Sequence, residues 1–273
     1  MNNKPISIQN DNPEYIKDFI EGDLPSKPPA MQERLLVKLL FKKYSGHEIN
    51  IKPIPVKLER GSLSSILFDH IVSKDMDNPA LRGCYIDSRY KLWVATDAYK
   101  LVAIHDPDIV GESRIVSRNG DIIRYNYPDY RGILPLYSNE TRFNLLDALY
   151  IANGVNHAYK FMADSNCPIE VKIRIGDYTS YFSAKLVLSV FMVFARLNIM
   201  DVTISVPEGD RANRQMAMIF DSNNNKNFAV MMPVNVEDEC ILFRTLIDID
   251  KKGQRSKMGI KQFSSLIVNA NDQ

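Results

Sequence analysis

Two carboxylates, Asp97 and Asp129, sit in stretches rich in turn formers: Ala95-Thr96-Asp97 and Tyr127-Pro128-Asp129-Tyr130. Paired carboxylates could hold a divalent cation. Asp in such a turn could equally serve by accepting bonds from nearby backbone amides. His105-Asp106 closes an apolar run and reads as the start of a loop, not as a general base. The histidines (His47, His70, His105, His157) form no ligand-spaced pair. The three cysteines (Cys84, Cys167, Cys240) are odd in number and far apart, the pattern of structural thiols in a reducing compartment. No glycine-rich phosphate loop, nucleophile elbow or His-Glu-x-x-His occurs. The sequence therefore predicts a protein that is not an enzyme, with no metal and no cofactor.

A second chemistry is contact with phosphates. Residues 184–198 suit a helix that is apolar almost all round. Its polar positions Lys185, Ser189 and Arg196 share one stripe, since the first and last are about three turns apart. That stripe could face phosphates. A helix over 62–72 places Ser62, Ser65 and Asp69 on its polar side and carries no cation there. Residues 31–44 suit an amphipathic helix with Arg34, Lys38, Lys42 and Lys43 at helical spacings. These either face a phosphate or partner, or form a solvated face opposite Leu35, Leu36, Leu39 and Leu40. Net charge is only +1 over 273 residues, so any nucleic-acid contact must come from a local face.

These residues need a scaffold, and its pattern recurs. Val56-Lys57-Leu58-Glu59 alternates like a strand, and Gly61 to Val72 has helical period. Residues 84–87, 92–95 and 100–104 are strand-length apolar runs. The order strand, helix, strand, strand, strand returns later. There the strand is 179–182, the helix 184–198, and the strands 201–206, 215–221 and 227–234. The letters are hardly shared, so this is a structural repeat. The fold class is α+β, with repeated β-α-β-β-β units forming antiparallel sheets and helices on one face. Between the units, Asn119-Gly120 suits a type I′ hairpin turn joining 115–117 to 122–125. Residues 142–157 read as helix, 169–175 as a strand, and 240–249 as strand or helix.

Hydrophobic content of 45% and charged content of 25% are ordinary for a globular protein. No apolar run is long enough to span a membrane and the first residues are polar, so the expected location is the cytoplasm. Four segments are expected. Residues 1–50 are an arm carrying Pro13, Pro25, Pro28 and Pro29 plus the basic helix, and 51–135 a shortened domain. Residues 136–236 are a second domain. Residues 237–273 are an extension with the acidic Glu237-Asp238-Glu239 and a basic run at 251–257.

Three segments carry a resemblance: Trp93-Val94-Ala95-Thr96-Asp97-Ala98-Tyr99-Lys100-Leu101, Tyr127-Pro128-Asp129-Tyr130-Arg131-Gly132-Ile133-Leu134-Pro135, and Ala229-Val230-Met231-Met232-Pro233-Val234. In this order they resemble the bacterial DNA polymerase III β subunit, the sliding clamp family, over about residues 55–235. The resemblance implies the DNA-clamp fold and a non-catalytic role. In the family the three motifs line a hydrophobic pocket that takes short linear motifs of polymerases, the clamp loader and repair proteins. By position that pocket would comprise Thr96, Ala98, Tyr99, Lys100, Leu101, Pro128, Val230, Met232, Pro233 and Val234. The family's Gly-His-Arg is Ala98-Tyr99-Lys100 here. Helices line the DNA channel in that architecture, which assigns Lys185, Ser189 and Arg196 to duplex DNA, bound without sequence preference. Two domains per chain would close a six-domain ring as a homotrimer. The alternative is a clamp-fold interaction module that does not encircle DNA.

Overall fold

The computed structural model describes residues 47–74, 77–134, 139–162, 169–207, 215–234 and 242–249, with residues 28, 29, 31, 32 and 36. Most of the 31–44 helix, the arm before it, the run at 251–257, Cys167 and Cys240 lie outside the described residues.

Helix α1 (Leu63–His70) starts where Ser62 Oγ accepts the Ser65 N–H at 3.2 Å, an N-cap that satisfies an orphan amide. It buries Ile66, Leu67 and Phe68. Strands β1 (Cys84–Asp87), β2 (Leu92–Thr96) and β3 (Lys100–His105) then form an antiparallel meander. Burial pushes the Cys84 thiol up to about 12, so it stays protonated and packs as a small apolar group.

The hairpin β4 (Arg114–Val116) and β5 (Ile122–Ile123) adds to the free edge of β1. The expected type I′ turn is not what joins them. Only Gly120 of the pair takes positive φ (+89°), and its N–H reaches Ser117 O at 3.0 Å, while Ser117 N–H reaches Asp121 O at 2.8 Å. This is a tighter turn followed by a left-handed glycine in a longer loop, so Asn119 avoids the left-handed region.

Strand β6 (Asn139–Asn144) precedes helix α2 (Leu145–Met162). The expected helix from 142 therefore starts three residues later. Residues up to Asn144 pair with the strand at Asp201–Val206, and Asn144 Oδ1 accepts the Leu146 N–H at 2.9 Å. Next come β7 (Ile169–Ile175), β8 (Tyr178–Ser183) and helix α3 (Ala184–Arg196). Strands β9 (Asp201–Val206), β10 (Ala217–Asp221), β11 (Phe228–Met231) and β12 (Leu242–Ile249) complete the order. Residues 242–249 are thus a strand, running parallel to β7.

Two sheets result. The larger has the order β5-β4-β1-β2-β3-β11-β10-β9-β6, and the smaller β12-β7-β8. The seam of the large sheet joins the last strands of the two repeats antiparallel, with Lys100↔Met231, Leu101↔Val230, Val102↔Ala229 and Ala103↔Phe228 as partners. Helices α1 and α3 pack on one face of this sheet and on each other. Strand alternation sends Val102, Ile104, Ala229 and Met231 into that helix-side core. Leu101, Ala103, Phe228 and Val230 go to a second cluster on the other face, capped by Tyr127, Tyr130 and Leu134.

The expected strand at Val56–Glu59 is absent: residues 49–62 contain no helix or strand. Ile49, Ile51, Val56 and Leu58 instead pack against the helix-side core. Ile54 N–H donates to Tyr150 O and Asn153 Nδ2 to Ile54 O, both at 3.0 Å, so this strap lies along α2. A Cβ on Gly154 would stand 2.3 Å from Lys52 O, which requires glycine there. The period-two pattern was real, but with no neighbouring strand to bond it serves packing on helices instead.

Candidate functional site

The turn between β2 and β3 is held by its own side chains. Thr96 Oγ donates to Lys100 O at 2.7 Å and accepts the Ala98 N–H at 3.1 Å. Asp97 Oδ1 accepts the N–H groups of Tyr99 (3.1 Å) and Lys100 (3.0 Å), and Oδ2 pairs with Lys100 Nζ. Asp97 is therefore a turn cap. Asp129 behaves alike, accepting the Arg131 N–H at 3.2 Å. The turn places Ala98 at φ +75°, where the resembled family has glycine, and leaves Tyr99 67% exposed.

The segment after β11 runs against this turn. Met232 N–H donates to Tyr99 O at 3.0 Å, extending the seam by one bond. Pro233 then ends the pairing because it lacks an N–H. Val234 N–H donates to Tyr181 O on β8 at 2.9 Å, anchoring the segment beside the small sheet. Met232 stays 42% exposed.

Between these two segments and the helices lies a cavity of about 920 Å³. Tyr99, Lys100, Met232, Pro233 and Val234 form one wall. The end of α1 and the residues just after it (Asp69, His70, Val72, Ser73, Lys74) form another, and α3 contributes Lys185, Leu186, Leu188, Ser189 and Met192. Val56 of the strap closes part of the rim.

The charges around it are partly committed. Burial pushes the Asp69 carboxyl up, but Arg118 and Arg196 more than offset this and hold it below the usual carboxylate range. Arg196 also donates from Nε to Glu59 O at 2.7 Å and from Nη1 to His70 Nε2 at 3.1 Å. Burial, reinforced by the Arg196 charge, keeps the His70 pKa below its ordinary value, so the ring is neutral at pH 7.

The structure thus divides the ten residues expected to form one pocket. Tyr99, Lys100, Met232, Pro233 and Val234 meet at the cavity, and Thr96 and Ala98 shape the turn that presents them. Leu101 and Val230 are 3% and 2% exposed, side by side in the cluster on the opposite face of the sheet. Pro128 is exposed between Tyr127 and Tyr130 on that same opposite face. There Tyr127 stacks on Tyr85 at 4.9 Å, and Tyr130 Oη donates to the buried Asp87 at 2.8 Å.

Of the stripe assigned to DNA, Lys185 and Ser189 line the cavity, while Arg196, 11% exposed, ties α3 to α1 and the strap. The residues that sequence reasoning missed are the α1 end and Leu186, Leu188 and Met192. The signal available was the excess of apolar residues on α3, more than one buried face needs.

No family profile and no curated protein sequence matches this chain. Solved structures do, and they define the class: the fold is that of the bacterial DNA polymerase β-subunit sliding clamps. The β subunit of the DNA polymerase of Streptococcus pyogenes superposes with a TM-score of 0.50 at 13% identity, over 67% of this chain and 68% of that one. A putative DNA polymerase III β subunit from Eubacterium rectale gives 0.50 at 12%, over 68% of each chain. The C. crescentus β sliding clamp, crystallised with polyethylene glycol at a putative β-motif tethering region, gives 0.50 at 13%, over 64% and 62%. At such identity the likeness concerns the fold. No described helix is long and apolar enough to cross a membrane.

Proposed function

We propose that this protein is a non-catalytic interaction module of clamp fold that takes a short segment of a partner protein in the cavity between Tyr99, Met232 and α3. The observation that carries this reading is the convergence of sequence-distant segments on one cavity with Tyr99 and Met232 left exposed at its rim. Met232 and Met192 give walls that adapt to varied side chains. Burying two or three partner side chains at about 1.5–3 kcal/mol each, less the cost of ordering the segment, fits weak affinities, on the order of millimolar to micromolar.

The second reading, a homotrimeric ring that tethers polymerase or other partners on duplex DNA, draws on the fold likeness. Two features weigh against the helix face as its DNA surface. The strap covers part of α2, and Arg196 is bound to Asp69 and Glu59. This leaves Lys185 as the uncommitted cation on the described α3 stripe. Light scattering separates the readings: a stable trimer retained on closed circular DNA supports the ring, and a monomer removes it.

The docking reading is tested by selecting peptides from a randomised displayed library on the full chain. Met232→Asp, in folded protein, is expected to lower the affinity of the selected peptides at least tenfold. Peptides that bind both proteins equally would sink the reading.

A further inference from the structure

We infer that the cavity favours segments carrying a carboxylate beside apolar side chains, over neutral or cationic ones. This inference rests on the docking reading above. The charge arrangement around the cavity supports it. Asp69 is held by two arginines, and Asp97 by Lys100 and two backbone N–H groups. The acids on the rim are therefore already matched. His70 accepts from Arg196 and is neutral.

Among the described residues, what remains is cationic. Lys74, four residues beyond the end of α1, and Lys185, in the first turn of α3, both line the cavity. Both are exposed, and neither has a carboxylate partner among the described residues. They come from different walls of a cavity that Leu186, Leu188, Met192, Met232 and Val234 also line. A docked apolar segment therefore brings its flanking residues near two uncommitted ammonium groups. A carboxylate there gains attraction at the edge of a partly desolvated site, and a lysine or arginine meets repulsion. Lysine is a mobile point charge, so the preference is for acidic character near the apolar anchors, not for one strict position. Exposed pairs of this kind contribute about two- to fivefold in affinity each at low salt.

The test uses the full chain and a phage-displayed library of randomised eight-residue peptides, counter-selected on Met232→Asp so that cavity binders remain. The inference predicts Asp and Glu enriched beside Leu, Met or Phe in the retained peptides. Synthesised winners should lose about five- to twentyfold in affinity towards a folded Lys74→Ser/Lys185→Ser double variant, and their salt dependence should flatten. Selection on Lys74→Glu/Lys185→Glu should shift enrichment to Lys and Arg. If peptides sensitive to Met232→Asp show no acidic bias and ignore the lysine changes, the charge inference falls while docking stands. If no peptide is sensitive to Met232→Asp, the docking reading falls and takes this inference with it.

Discussion

The two repeats share an order and a seam, yet they differ in what leads into their helices. In the second, β8 pairs with β7 and runs straight into α3. In the first, the corresponding residues form the strap, which bonds to α2 and to Arg196 and then enters α1. The difference shows what an alternating segment needs to become a strand. Both segments have the pattern, but β8 lies beside a strand, β7, that takes up its backbone bonds, whereas the strap lies along α2. The strap solves the same burial problem on a helix, and in doing so helps to shape the cavity with Val56.

The seam that the repeats share should be the most fragile point. Leu101→Asp places a charge in a cluster where the residue is 3% exposed, and is expected to cost more than about 4 kcal/mol. Met232→Asp, at the half-exposed cavity rim, should stay within about 1 kcal/mol. Urea unfolding of both variants checks this, and equal costs would erase the distinction between buried seam and open cavity.

The lead-in of the second repeat carries its own signature. Glu170 on β7 pairs with Ser183 across β8 and is 7% exposed, with Oε2 unpartnered. Burial pushes its pKa up to about 8, although the Ala184 N–H opposes this. A carboxyl whose folded pKa lies above its unfolded one costs stability as pH rises from about 4.5 to about 8. Glu170→Gln should therefore match the parent near pH 5 and exceed it by about 2–4 kcal/mol at pH 8. Unfolding curves at the two pH values decide it, and a constant offset would show that Glu170 is ionised in the folded protein.

The lead-in of the first repeat should respond to Gly154→Ala. Alanine favours the helix by about 1 kcal/mol over glycine. The 2.3 Å approach to Lys52 O should outweigh this, for a net loss of about 1–2 kcal/mol and faster exchange of the Ile54 amide. A gain in stability would mean that the strap yields freely. The smallest effect belongs to the turn at the cavity. Ala98→Gly relieves a left-handed alanine and should stabilise by about 0.5–1 kcal/mol, read as a higher melting temperature. A loss would show that this conformation carries no strain.

Much of the fold was legible because it depends on periodicity. The repeat, the strands at 169–175 and 201–206, and the helix starting at Ala184 all follow apolar spacing. Asn119-Gly120 marked a hairpin but not its turn type, since either loop suits that pair. The site was legible only in its backbone. The motif order pointed to the turn at Thr96–Lys100 and the end of β11. It could not say that Leu101 and Val230, one residue further along paired strands, face the opposite side of the sheet. Nor could spacing along α3 show that Arg196 meets Asp69, 127 residues earlier, while Lys185 on the same stripe has no carboxylate partner among the described residues. Such pairings depend on the tertiary arrangement and leave no local mark.

Docking of a partner segment at the cavity is tested most directly by amide hydrogen exchange on the full chain, with and without a peptide selected on it. Docking predicts slowed exchange at Tyr99, Lys100, Met232, Val234 and the first turn of α3, with the Tyr127–Tyr130 side unchanged. Protection confined to the Tyr127–Tyr130 side of the sheet would contradict it.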